Sequence, residues 1–112
     1  MAEAPLSVVF GPGSHHTGDL VFEGRVRVDG TFEGRLYTDG ELEVGVDGRV
    51  DGDVDVARAT ISGAFHGRLR VRERLILRAG CVVDGLVDAG VMEMAPGARL
   101  RGEVRVEGEE TP

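Results

Sequence analysis

The stretch Phe65-His66-Gly67-Arg68-Leu69-Arg70-Val71 reads apolar, x, Gly, x, apolar, x, apolar. The pattern returns as Phe32-Glu33-Gly34-Arg35-Leu36, Val50-Asp51-Gly52-Asp53-Val54, Val83-Asp84-Gly85-Leu86-Val87 and Leu100-Arg101-Gly102-Glu103-Val104. A weaker copy is His16-Thr17-Gly18-Asp19-Leu20. The central glycines, Gly18, Gly34, Gly52, Gly67, Gly85 and Gly102, are spaced by 16, 18, 15, 18 and 17 residues. A repeat this short, with apolar residues at period two, predicts stacked β-coils rather than separate domains.

The unequal spacings have a local cause. After Gly67 the apolar series is Leu69, Val71, Leu75, Leu77, Ala79, Cys81 and Val83. After Gly34 it is Leu36, Leu42, Val44, Val46 and Val50, with Thr38 in the slot of Val71. The coil from Gly52 lacks one residue before Ala59 and two after Ile61. The coil from Gly18 lacks only the later two, and that from Gly85 only the earlier one. The length changes therefore fall at corners. A one-residue slip inside a strand would turn every side chain to the other face, whereas a turn absorbs it.

Aligned this way, like residues stack on like. One inward column is Leu20, Leu36, Val54, Leu69, Val87, Val104. A second is Val28, Val44, Ile61, Leu77, Met94, and a third is Phe22, Thr38, Val56, Val71, Ala89, Val106. Pro12-Gly13-Ser14 precedes Gly18 at the offset of Pro96-Gly97-Ala98 before Gly102. That match places Val8 and Phe10 in the slots of Met92 and Met94, and His16 in the slot of Phe32, Val50, Phe65, Val83 and Leu100. Outward columns are charged: Asp19, Arg35, Asp53, Arg68, Leu86, Glu103 and Val21, Tyr37, Asp55, Arg70, Asp88, Arg105. Alternating signs predict pairing between neighbouring coils. Helices are not expected, because the period is two and glycines interrupt every candidate.

The chain of 112 residues suits one domain, with residues 1–7 a short tail, 8–106 the β-helix and 107–112 an acidic tail. Aromatics are 4% and Trp is absent, which excludes a large aromatic core. The 18 glycines are explained by the repeat, and the regular apolar columns argue against disorder. The net charge of −7 argues against nonspecific binding to nucleic acid or an anionic membrane. All 13 basic residues are Arg. Cys81 is a lone inward cysteine and reads as a small hydrophobe. No signal, transmembrane or lipidation pattern occurs, and the cytoplasm is the expected location.

A single coil buries about six apolar side chains, which cannot offset the entropy of ordering its own backbone, so coils must stack. The ends of the stack then expose unpaired backbone and a cross-section of the core. No capping helix is legible. Val8, Phe10 and Phe22 at one end, and Val104 and Val106 at the other, predict end-to-end association of copies. In the opposing reading the tails act as caps, a role favoured by Glu107, Glu109 and Glu110, which would repel across a symmetric junction.

The series Ser7-Val8-Val9-Phe10-Gly11-Pro12-Gly13, Gly18-Asp19-Leu20, Val28-Asp29-Gly30-Thr31-Phe32-Glu33-Gly34, Val50-Asp51-Gly52-Asp53-Val54 and Ile61-Ser62-Gly63 resembles the bactofilins over about residues 7–106. The resemblance implies a right-handed, three-sided, single-stranded parallel β-helix. It also implies a bacterial cytoskeletal protein that polymerises without nucleotide into non-polar filaments, joined head-to-head and tail-to-tail. Such filaments position cell-shape, cell-wall, polarity or chromosome-segregation proteins. Many members carry longer tails, and some carry a membrane-targeting peptide at the N-terminus. Here residues 1–7 contain Glu3 and no basic residue, so attachment to the inner face of the membrane is expected to be weak.

Other chemistry finds little support. His15 and His16 adjoin on a strand and point to opposite faces, and His66 lies on an outer face, so no metal site is expected. Asp before Gly is ordinary turn chemistry, and the nonapeptide calcium pattern is missing. No catalytic triad, P-loop or dinucleotide fingerprint appears, so neither an enzyme nor a cofactor is expected. Arg68, Arg70, Arg72, Arg74 and Arg78 form a basic cluster. With the outward apolar residues Ile76 and Leu86 it is a candidate partner face, against the alternative of a charge ladder with Asp53, Asp55, Asp84 and Asp88. Two rival functions remain. One is a monomeric β-helix binding module, which requires capped ends. The other is a left-handed β-helix acyltransferase, whose hexad repeat the 15-, 16- and 17-residue coils break.

Overall fold

The computed structural model of the chain describes residues 7–106, apart from the side chains of Ser7, Val8 and Phe22. Nine strands follow one another: β1 (Ser7–Phe10), β2 (His15–Phe22), β3 (Arg25–Val28), β4 (Thr31–Thr38), β5 (Glu41–Val44), β6 (Arg49–Ile61), β7 (Ala64–Leu77), β8 (Val82–Met94) and β9 (Arg99–Val106). All pair in parallel, and among the described residues there is no helix. β2, β4 and the first halves of β6, β7 and β8 lead to β9 in one ladder. β1, β3, β5 and the second halves of β6, β7 and β8 form the other. The result is a β-solenoid of five full coils, each with three straight sides, and a sixth described as far as its second side. In the second coil these are residues 31–33, residues 35–38 and β5.

The register matches the columns expected from the sequence. Gly18, Gly34, Gly52, Gly67, Gly85 and Gly102 stand in one file, and Leu20, Leu36, Val54, Leu69, Val87 and Val104 in the next but one. The glycine file is the corner between the first and second sides. Its φ angles lie between +108° and +131°, which L side chains rarely adopt. A Cβ at Gly34, Gly52, Gly67, Gly85 or Gly102 would also overlap the carbonyl oxygen of the glycine one coil earlier. From the second coil on, close stacking at this corner therefore requires glycine.

The other corners absorb the length changes. Between the second and third sides, β6 crosses with Ala57 alone where β7 uses Arg72 and Glu73, and the register shifts there. Between the third side and the next coil, four-residue corners close with hydrogen bonds from Ser14 N to Gly11 O, Gly48 N to Gly45 O, Cys81 N to Arg78 O and Ala98 N to Ala95 O, at 2.9–3.2 Å. Gly13, Gly80 and Gly97 take positive φ in three of them, and Pro12 and Pro96 supply the preceding position. The backbone ladder runs on through these corners. Thr31 N bonds to Ser14 O, Arg49 N to Gly30 O, Ala64 N to Gly48 O, Val82 N to Gly63 O and Arg99 N to Cys81 O, at 2.8–3.0 Å. This adds a column of small residues that period-two reading did not assemble.

The core is one continuous stack, with Phe32 and Phe65 its largest buried members. Thr38 is its one buried polar residue among those described. Its hydroxyl donates to Gly24 O at 3.0 Å and accepts from Gly40 N at 3.1 Å, which satisfies it. Cys81 is buried, and burial pushes its thiol pKa up.

Two expectations are corrected. Val46 is 79% exposed and Ala79 is exposed as well, although both continue the period-two apolar series. Both sit in the middle of four-residue corners, where the turn and not the pleat sets side-chain direction. Secondly, members of the outward columns on the second side do not pair with one another, and Asp55 pairs instead with Arg72 at the corner. The ladder lies on the third side: Arg25–Glu41 (3.2 Å), Glu41–Arg58 (3.9 Å), Arg58–Glu73 (3.9 Å) and Arg27–Glu43 (3.3 Å). Its acids are Glu, one methylene longer than Asp19, Asp53, Asp55 and Asp88 on the second side.

Candidate functional site

The sequence nominates two kinds of surface, the solenoid ends and an outer face. At each end, six columns terminate. Their last members at the C-terminal end are Met92, Met94, Ala98, Leu100, Val104 and Val106. In the interior these columns are almost wholly buried, whereas Met94, Val104 and Val106 are 45%, 39% and 43% exposed. The exposure follows from position alone, since no further strand covers them among the described residues. Val104 and Val106 were expected there. Met92, Met94 and Leu100 complete the face, and the signal for them was already present: each is the last residue of an aligned column.

The N-terminal end is the same cross-section with different chemistry. Its columns end in Val8, Phe10, Ser14, His16, Leu20 and Phe22. Strand register places Val8 and Phe22 there, but their side chains lie outside the described ones. Phe10 and Leu20 are half-buried against the core. Phe10, His16 and Phe32 stack face to face, with ring centroids 4.9 Å apart for Phe10–His16 and 5.7 Å for the other two pairs. His15, on the opposite face of the strand, sits 3.8 Å from Glu33. The expected capping role of Glu107, Glu109 and Glu110 lies outside the described residues.

The nominated partner residues do not share one face. Arg68, Arg70 and Leu86 come together on the second side and line an open groove of about 420 Å³ with Asp88, Glu103 and Arg105. Ile76 lies on the third side, in the column of Arg27, Glu43, Thr60 and Glu93. Arg74 bonds Glu93 at 2.8 Å. Arg72 is engaged within the molecule. From the corner of the fourth coil its guanidinium reaches Thr38 O at 2.9 Å and Asp39 Oδ1 at 3.2 Å in the second, and lies 3.3 Å from Asp55 Oδ1 in the third. It also lies 5.4 Å from the Tyr37 ring centroid. The reach is possible because the intervening corner is a single residue, Ala57. Partial burial opposes the Arg72 charge, but the bond to Asp39 and the nearness of Tyr37 and Asp55 outweigh it and raise the pKa.

The molecule is a parallel solenoid of about six coils with an unbroken glycine file and apolar columns that run out at both ends. A sequence model of the family "Bactofilin: Polymer-forming cytoskeletal" matches residues 8–105. The chain belongs to the bactofilin family. It is thus a polymer-forming cytoskeletal protein. Comparison with curated proteins and with solved structures found no match. Among the described residues no group of three or more His, Cys, Asp and Glu side chains converges as metal ligands, and no helix is long and apolar enough to cross a membrane.

Proposed function

We infer that this bactofilin is a scaffold whose subunits join end to end, without nucleotide, through the two column ends. The observation that carries this reading is the rise in exposure along a single column, from Leu69 at 0% to Val104 at 39%. An apolar terminal residue does little for the isolated subunit, whereas a copy stacked on it would bury the whole cross-section. Val8, Phe10 and Phe22 form one junction, and Val104 and Val106 with Met94 and Leu100 form the other. Family resemblance supports like-to-like joining, N-end to N-end and C-end to C-end, which makes a filament without polarity.

The filament is cytoplasmic or lies at the inner face of the cell membrane, and it positions cell-wall, polarity or chromosome-segregation proteins. The groove around Arg68, Arg70 and Leu86 is the face we assign to such clients, because it lies on the second side of the rod and reaches back from the last coil to the fourth. The protein acts without catalysis.

Negative-stain electron microscopy of the purified chain beside Phe10→Arg and Val106→Arg tests the reading. Wild type should form filaments in nucleotide-free buffer. Either substitution should leave dimers joined through the intact end. Monomers from either single substitution would instead mean head-to-tail joining. Isolated particles in all three samples would overturn end-to-end assembly.

A further inference from the structure

We propose that the N-terminal junction is a proton-sensitive joint and the C-terminal junction is not, with His16 as the sensor. The inference rests on the end-to-end reading above. His16 occupies a slot filled in every later coil by an apolar residue, namely Phe32, Val50, Phe65, Val83 and Leu100. It belongs to the core stack, with its ring against those of Phe10 and Phe32, yet it is exposed because it ends its column. Stacking a second copy on this face would bury the ring in an apolar contact. The C-terminal members of the same six columns are Met, Leu, Val and Ala, and none of them titrates.

Imidazole changes charge between about pH 5 and 8. A neutral ring fits an apolar junction, whereas a charged one must be desolvated, so association favours the deprotonated form. The junction is therefore intact above the imidazole range and weakens as pH falls through it. If two N-ends meet by a two-fold axis, each junction contains two His16 rings and the penalty is doubled.

No compensating acid faces the ring among the described residues. β1 carries no charged residue. On β4, Glu33 and Arg35 lie on the outer surface, as do His15 and Asp19 on β2 and Arg25 and Arg27 on β3. Glu33 is occupied by His15 at 3.8 Å. His66 is the third imidazole, far from either end, 3.8 Å from Asp84.

The test compares filament length at pH 8.0 and 5.5, both above the isoelectric point near 4.9, at fixed ionic strength. Sedimentation velocity and negative-stain microscopy would be applied to wild type, His16→Phe, His16→Leu, His16→Arg, His15→Gln and His66→Gln. Phe and Leu already occupy this column in Phe32 and Leu100, so both replacements fit the fold. A junction that buries two neutral imidazoles loses about tenfold in affinity for each ring, one pH unit below its titration. Wild type should therefore fall from filaments at pH 8.0 to dimers joined at their C-ends at pH 5.5. His16→Phe and His16→Leu should keep their length at both values, and His16→Arg should be dimeric already at pH 8.0. His15→Gln and His66→Gln should respond as wild type does. Equal shortening of the Phe and Leu variants at pH 5.5, or filaments from His16→Arg at pH 8.0, would overturn the proposal. So would wild-type filaments of unchanged length at pH 5.5, and that result would leave end-to-end assembly standing. Absence of wild-type filaments at pH 8.0 would remove both readings.

Discussion

Leu69 and Val104 stand in one column, two coil contacts apart. Leu69 is fully buried and Val104 is 39% exposed. The two positions follow the same sequence rule and differ only in whether a coil lies above. The middle of the rod is apolar because it is a core. Its ends are apolar although, among the described residues, they cover nothing, and that difference separates what folds the subunit from what joins subunits. Substitutions in the middle should lower stability. Their counterparts at the ends should spare stability and change assembly.

The largest contrast is expected in the glycine file. Gly67→Ala places a Cβ at φ +128° and against the backbone of Gly52. A Gly-only conformation costs about 1–3 kcal/mol in itself, and overlap with unyielding backbone adds a similar amount. The sum, roughly 4 kcal/mol, is a large share of the stability of a small domain. Gly18→Ala has φ +131° but meets nothing within 4 Å, so it carries the conformational cost alone. Urea unfolding on a Phe10→Arg, Val106→Arg background, where the ends stay free, measures the difference. Equal losses would mean that the first coil is covered, and the contrast between middle and end would fail at that end.

Next come the apolar columns. Phe65→Ala should cost about 3–5 kcal/mol as a buried large-to-small change. Leu100→Ala, in the same column but half-buried on the last coil, should cost the free subunit about 1 kcal/mol. In assembly the order should reverse. Leu100→Ala should shorten filaments in sedimentation while the melting temperature stays within a few degrees of wild type. If Leu100→Ala lowered stability as much as Phe65→Ala, the C-terminal end would be core and not interface.

Much of this was readable from the residues because parallel coils stack identical offsets. Six glycines at nearly constant spacing define the register, and indels confined to corners leave it intact. The terminal positions, including the inward slot of His16, follow from the same alignment. Handedness came only with the family resemblance. What stayed hidden depends on geometry inside turns and on side-chain reach. Val46 and Ala79 keep the period but lose the pleat, since a turn rotates side chains independently of alternation. Ile76 and Arg68 are close in sequence but lie on different sides of the rod. Arg72 binds residues 33 and 34 positions earlier, because two coils fold between them.

Arg72 offers a smaller test within the middle of the rod. It bridges three coils across the short Ala57 corner, through a backbone carbonyl and two carboxylates. Arg72→Ala should cost about 1 kcal/mol in urea unfolding, the net worth of a partly exposed charged hydrogen bond. Arg72→Lys should recover little of it, since an ammonium lacks the planar fork that reaches Thr38 O and Asp39 together. Arg68→Ala, at a residue on the open groove, should leave stability within about 0.5 kcal/mol. A cost at Arg68 equal to that at Arg72 would assign the groove a structural role.

Salt gives the smallest effect, and its sign distinguishes the two regions. The third-side ladder joins groups that are each at least 36% exposed, so each pair contributes about 0–1 kcal/mol and is screened. Raising ionic strength from 0.1 to 1 M shortens the screening length from about 10 to 3 Å. The folded middle should lose at most a few degrees in melting temperature. The ends should respond in the opposite direction. Each subunit carries a net charge of −7, so joining two subunits works against repulsion that salt removes. An apolar junction has no ion pair to lose and is favoured as its neighbours' repulsion fades. Filaments should therefore lengthen with salt while subunits become slightly less stable. Filaments that shorten with salt would mean that charge, and not the exposed column ends, holds the junctions.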